Sequence, residues 1–92
     1  MIKTFKHKSL ADLWSAGRAR RIDQRLQGRI LRLLDRLDQA AGPQDMDFAG
    51  TQFHAWRGFK PTRYTVHVNG PWCITFEFAG GHAYEVDLEQ YH

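Results

Sequence analysis

Cysteine is nearly absent from this chain: Cys73 stands alone among 92 residues. An intramolecular disulfide is therefore excluded, which suits a reducing cytoplasm. No apolar run approaches the ~20 residues needed to cross a bilayer. The opening Met1-Ile2-Lys3-Thr4-Phe5 also lacks the apolar stretch of a secretory signal, so no membrane partner is expected. Proline is sparse, and no linker, repeat or low-complexity tract divides the sequence. There is no carboxylate cluster spaced for two divalent cations and no Cys/His set for zinc. Neither a metal nor another cofactor is expected.

What remains is a single domain over residues 1–92 with 42% hydrophobic and 13% aromatic residues, enough for one core. The net charge of +3 favours an anionic partner. Residues 2–5 read as a short first strand. Ser9 is an expected N-cap with Asp12 three residues on, and Leu10, Leu13 and Trp14 share one helical face up to Gly17. A second helix is predicted over about Ile22 to Ala41, with Ile22, Leu26, Ile30, Leu33, Leu34 and Leu37 on its apolar face and Gly42-Pro43 as its stop. Gly28, inside it, is explained only by close packing.

From Phe53 the period becomes twofold. Tyr64, Val66 and Val68 alternate with Thr65 and His67, and Trp72, Ile74, Phe76 and Phe78 alternate with Cys73, Thr75 and Glu77. Asn69-Gly70 marks a hairpin, with Pro71 widening its turn, and Ala79-Gly80-Gly81 marks the turn into a last strand over Ala83 to Leu88. The order predicts an α+β fold: an N-terminal strand, two helices, then an antiparallel sheet of about four strands, helices on one face. The other face, with Thr65, His67, Cys73, Thr75 and Glu77, is expected to be polar and open. The aromatics Trp56, Phe59, Tyr64, Trp72, Phe76 and Phe78 are mostly core by alternation, with Trp56 also a stacking candidate because it shares strand parity with His54.

The second helix carries a basic stripe. Arg25, Arg29, Arg32 and Arg36 recur at 4, 3 and 4 residues and fall within a band roughly 60° wide. Such a track would hold phosphates through salt-dependent contacts, and the competing reading is a solvated face with local ion pairs.

The opening strand, Phe53-His54-Ala55-Trp56-Arg57-Gly58, the hairpin of Tyr64 to Phe78 and the closing Tyr91-His92 together resemble the HigB toxins of the RelE/ParE superfamily. The resemblance runs the length of the chain. It implies the toxin of a type II toxin–antitoxin system: a ribonuclease that cuts messenger RNA on the ribosome and inhibits translation. It further implies a helix-turn-helix, HigA-like antitoxin encoded by the adjacent gene, through which alone the toxin meets operator DNA.

By that resemblance His54, Tyr91 and His92 form the active centre, with Tyr91-His92 held against the sheet edge. The two histidines serve proton transfer, imidazole being suited to it near neutral pH. Tyr91 serves as donor or stacking surface, and Arg57 stands where the family has lysine before glycine. Two positions depart from the family pattern. Cys73 replaces the usual fourth-strand arginine, and Gln90 replaces the aspartate before Tyr-His. Arg57 or Arg63 is expected to supply the missing positive charge to a phosphate. The alternatives are a catalytically weakened or inactive member of the family, and a ParE-like non-enzymatic inhibitor of DNA gyrase.

Overall fold

The computed structural model describes residues 1–90. Helix α1 spans Lys8–Ala16 and buries Leu10 and Leu13. Its cap is not Ser9. His7 stands three residues before Leu10, the spacing an N-cap acceptor needs, and its Nδ1 accepts the Leu10 N–H at 3.1 Å. Ser9 consequently falls inside the first turn. Gly17 closes the helix in the left-handed region at φ 80°, its N–H reaching the Leu13 carbonyl at 2.8 Å.

Helix α2 spans Gln24–Gln39, shorter at both ends than its sequence pattern suggests. Asp23 takes the cap because its carboxylate accepts the Arg25 N–H at 2.9 Å, leaving buried Ile22 just ahead of the helix. At the far end Ala40 is already extended, and Pro43 opens a 3₁₀ turn, Pro43–Met46. Gly28 needs another account than close packing. A β-carbon there would meet only the Arg32 Nη1, at 3.8 Å.

The sheet has strands β1 His54–Trp56, β2 Arg63–Asn69, β3 Trp72–Ala79 and β4 His82–Gln90, in the order β1-β2-β3-β4 and all antiparallel. Gly80 and Gly81, at φ 58° and 81°, supply the left-handed pair that a tight β3–β4 hairpin requires. The expected first strand is reduced to two isolated parallel bridges, Ile2 to Ala83 and Phe5 to Val86. They line the outer edge of β4, whereas β1 is the other edge strand.

Two register shifts bend the sheet. Val68 is the extra residue of β2, and Glu85 with Val86 opposes Phe76 alone. Glu85 adopts φ 50°, an unfavourable state for a side chain with a β-carbon. Its N–H donates to the Thr4 hydroxyl at 2.7 Å, and its carbonyl accepts from Arg63 at 3.0 Å, which fixes the bulge. One sheet face presents Val66, Val68, Ile74, Phe76 and Leu88 to Leu26, Ile30, Leu33, Leu34 and Leu37 of α2 in a single core. Each such buried side chain contributes roughly 1.5–3 kcal/mol. No helix among the described residues is long and apolar enough to cross a membrane.

Candidate active site

Residues opposite one another in an antiparallel pair share a sheet face. His54 lies opposite Thr65, Thr65 opposite Thr75, and Thr75 opposite Asp87. Two residues along, His67 lies opposite Cys73 and Cys73 opposite Glu89. Trp56 lies opposite Arg63. The face away from the core thus gathers histidines, hydroxyls, a thiol, a guanidinium and carboxylates from every strand.

That face is not open to its floor. Thr65, Cys73 and Thr75 have no exposure, and Arg63 has 7%. The longer Arg63 and Glu89 side chains both reach the Thr75 hydroxyl at the centre of the sheet. The Arg63 Nη2 donates to the Thr75 hydroxyl at 2.8 Å and to the Glu85 carbonyl, and its Nη1 donates to Glu77 at 3.2 Å. The Thr75 hydroxyl in turn donates to Glu89. Arg63 was expected as a phosphate ligand, and the structure commits it to this internal network instead. The rim is wetter, with His54 exposed and His67, Glu77, Asp87 and Glu89 partly so.

Cys73 sits beside this network, opposite Glu89. Burial pushes its thiol above the usual range, the Thr65 hydroxyl acts the other way, and the Glu89 and Asp87 carboxylates push it up further. A protonated, buried thiol is a poor nucleophile. Gln90 is exposed and lies opposite Trp72, hence on the core-side parity and away from Cys73. Glu89 and Asp87 were missed in the sequence. Twofold alternation along β4 was the available signal, once its bulge at Glu85 is allowed for.

The four arginines of α2 divide. Arg25 pairs with Asp23 at 2.9 Å, a local exposed contact that lowers the Asp23 pKa and raises that of Arg25. Arg29 reaches the backbone of the loop and of β2: its Nε donates to the Val68 carbonyl, and its Nη2 donates to those of Gly50 and His67, all within 2.8–3.0 Å. Arg36 lies over the Phe48 ring at 4.5 Å. Arg32 and Arg36 are exposed and, with Phe48, line a groove of about 320 Å³. A larger groove, of about 930 Å³, follows α1 and the α1–α2 connection and includes no residue of the polar face.

Arg57 is exposed in the turn after β1 and, among the described residues, has no ion-pair partner. Tyr91 and His92, the other two expected members of the centre, lie outside the described residues.

The model for the RelE-like toxin of type II toxin–antitoxin system HigB matches residues 3–92. The chain is also 32% identical to the Endoribonuclease HigB of Proteus vulgaris over 92 residues, covering the full length of both. The chain belongs to the HigB-like toxin family. As a type II toxin it has an antitoxin partner. In this HigB-like toxin Cys73 lies directly opposite Glu89 on the face away from the core.

Proposed function

We propose that this toxin is an endoribonuclease that cleaves translated messenger RNA on the ribosome, by metal-free attack of the 2′-hydroxyl on the adjacent phosphorus. A base takes the proton of that hydroxyl, the new 2′-oxygen–phosphorus bond forms, and the 5′-oxygen leaves with a proton from an acid. His54 and His92 share these transfers. Tyr91 donates a hydrogen bond or stacks on a base, and Arg57 contacts the phosphate. Arg32 and Arg36 meet ribosomal RNA from the helix. The partner is a helix-turn-helix, HigA-like antitoxin from the adjacent gene, the only route to operator DNA, and the pair works in the cytoplasm.

The observation that carries this reading is the placement of His54. It is exposed, it shares a sheet face with Cys73 and Glu89, and the uncommitted Arg57 follows three residues later. The name of the Proteus vulgaris relative supports the reaction class. Induction without antitoxin, followed by primer extension on translated and untranslated copies of one message, tests it. Cuts with 5′-hydroxyl ends in the translated copy alone are expected. Intact message with accumulated gyrase–DNA breaks would favour a ParE-like inhibitor.

A second reading, weakened cleavage, is favoured by one feature. Arg63 is spent on Glu77, Thr75 and the Glu85 carbonyl, which removes one of the two arginines expected to offset charge on the phosphate. Losing one such stabiliser costs ~10²–10³ in rate.

A further inference from the structure

Trp56, Phe59 and Tyr84 stand apart from the core, and the first two meet each other. Phe53, Tyr64, Trp72 and Phe78 pack against the buried cluster, and Phe76 is part of it, but Trp56 and Phe59 do neither. Phe59 is 49% exposed, against the core position that alternation suggests. Gly58, at φ 86°, reverses the chain after β1 and returns the Phe59 ring to Trp56, with centroids 5.7 Å apart and planes tilted by 38°. The pair therefore packs on itself and leaves aromatic surface to solvent.

Its surroundings along the chain are basic, and across the sheet the Glu77 carboxylate is taken up by Arg63, the residue opposite Trp56. From Phe48 to Phe76 the sequence contains no aspartate or glutamate, while Arg57 and Lys60, both exposed, flank the pair. Trp56 has the same strand parity as His54 and lies two residues away, ~7 Å along β1, the scale of one nucleotide. Rings that reach solvent between two exposed cations suit a ligand with flat apolar faces and a negative backbone. An apolar protein segment would gain from the rings but not from the charges.

We propose that Trp56 and Phe59 form a stacking platform for an unpaired nucleobase of single-stranded RNA, with Arg57 and Lys60 taking the flanking phosphates. The choice of RNA rests on the ribonuclease reading, and the geometry of the platform does not. Loss of the ring should weaken binding without altering ion release, because phosphate contacts alone set the salt dependence.

The test is fluorescence anisotropy of a labelled single-stranded RNA 10-mer at several salt concentrations, with wild type, Phe59→Leu, Phe59→Tyr and Lys60→Ala. Phe59→Leu should weaken binding about tenfold at an unchanged salt slope, and Phe59→Tyr should bind as wild type. Lys60→Ala should flatten the slope by about 0.7. Thermal melts of all four should coincide, because Phe59 lies off the core. Equal RNA binding by Phe59→Leu, or no RNA binding by wild type, overturns the platform. So does loss of antitoxin binding in Phe59→Leu with RNA binding intact. Stacking-dependent binding by a protein that leaves messages uncut would keep the platform and remove the ribonuclease reading.

Discussion

Arg63 on β2 and Glu77 on β3 form an ion pair at 3.2 Å in which the arginine side chain is only 9% exposed. Removing one member of such a pair leaves its partner desolvated and unpaired, which is the costly case. Arg63→Ala should therefore destabilise the fold by about 3 kcal/mol, read as a lower midpoint in urea unfolding. Lost cleavage at unchanged stability would instead make Arg63 a ligand of the substrate.

Arg29 and Arg32 differ by one turn of helix and should behave oppositely. Arg29→Ala abandons three backbone carbonyls and should cost about 2 kcal/mol of stability. Arg32→Glu with Arg36→Glu should weaken ribosome association and flatten its salt dependence, at a cost of about 1 kcal/mol of stability from the lost Arg36–Phe48 contact. Sedimentation with ribosomes across a salt series checks the second half. Unaltered association at every salt concentration would return these two residues to a solvated face.

These contrasts mark how far the sequence could be read. Twofold alternation from Tyr64 to Phe78 located the strands, because a half-buried strand imposes that period whatever its partners. The 3- and 4-residue spacing of Leu26 to Leu37 likewise located α2. The fate of Arg29 was invisible, because its acceptors at Val68 and His67 lie 39 and 38 residues away. The bulge at Glu85 was equally hidden, since it depends on Thr4 across the chain. Polarity suggested an open face at Thr65, Cys73 and Thr75. Burial there depends on which side chains the fold lays over these positions, which a polarity pattern does not report.

Gly28→Ala should stabilise the protein by about 1 kcal/mol. The site is exposed, a β-carbon meets only a flexible guanidinium at 3.8 Å, and alanine is the better helix former. A rise of the urea midpoint checks this. A fall would reveal a constraint on the α2 surface that the fold does not explain.

Cys73 should be inert in the folded protein. Its raised pKa lowers the thiolate fraction at neutral pH, and its burial blocks access. Iodoacetamide should label it slowly in buffer and rapidly in urea, and Cys73→Ser should cleave nearly as wild type. The raised pKa also means that the fold holds this proton more tightly than the unfolded chain does. That contribution to stability is fully present below the unfolded thiol pKa and is lost as pH rises through the folded value. Fast labelling of the native protein at neutral pH would contradict this account.

The central claim is that His54 moves a proton on the polar face of the sheet. Ribosomes programmed with one message, incubated with wild type, His54→Ala and His92→Ala, test it most directly. His54 is exposed and outside the core, so the urea midpoint of His54→Ala should match wild type. Cleavage should fall by about 10²–10⁴ in His54→Ala, and His92→Ala should abolish it. Unchanged cleavage by a folded His54→Ala protein would contradict the account.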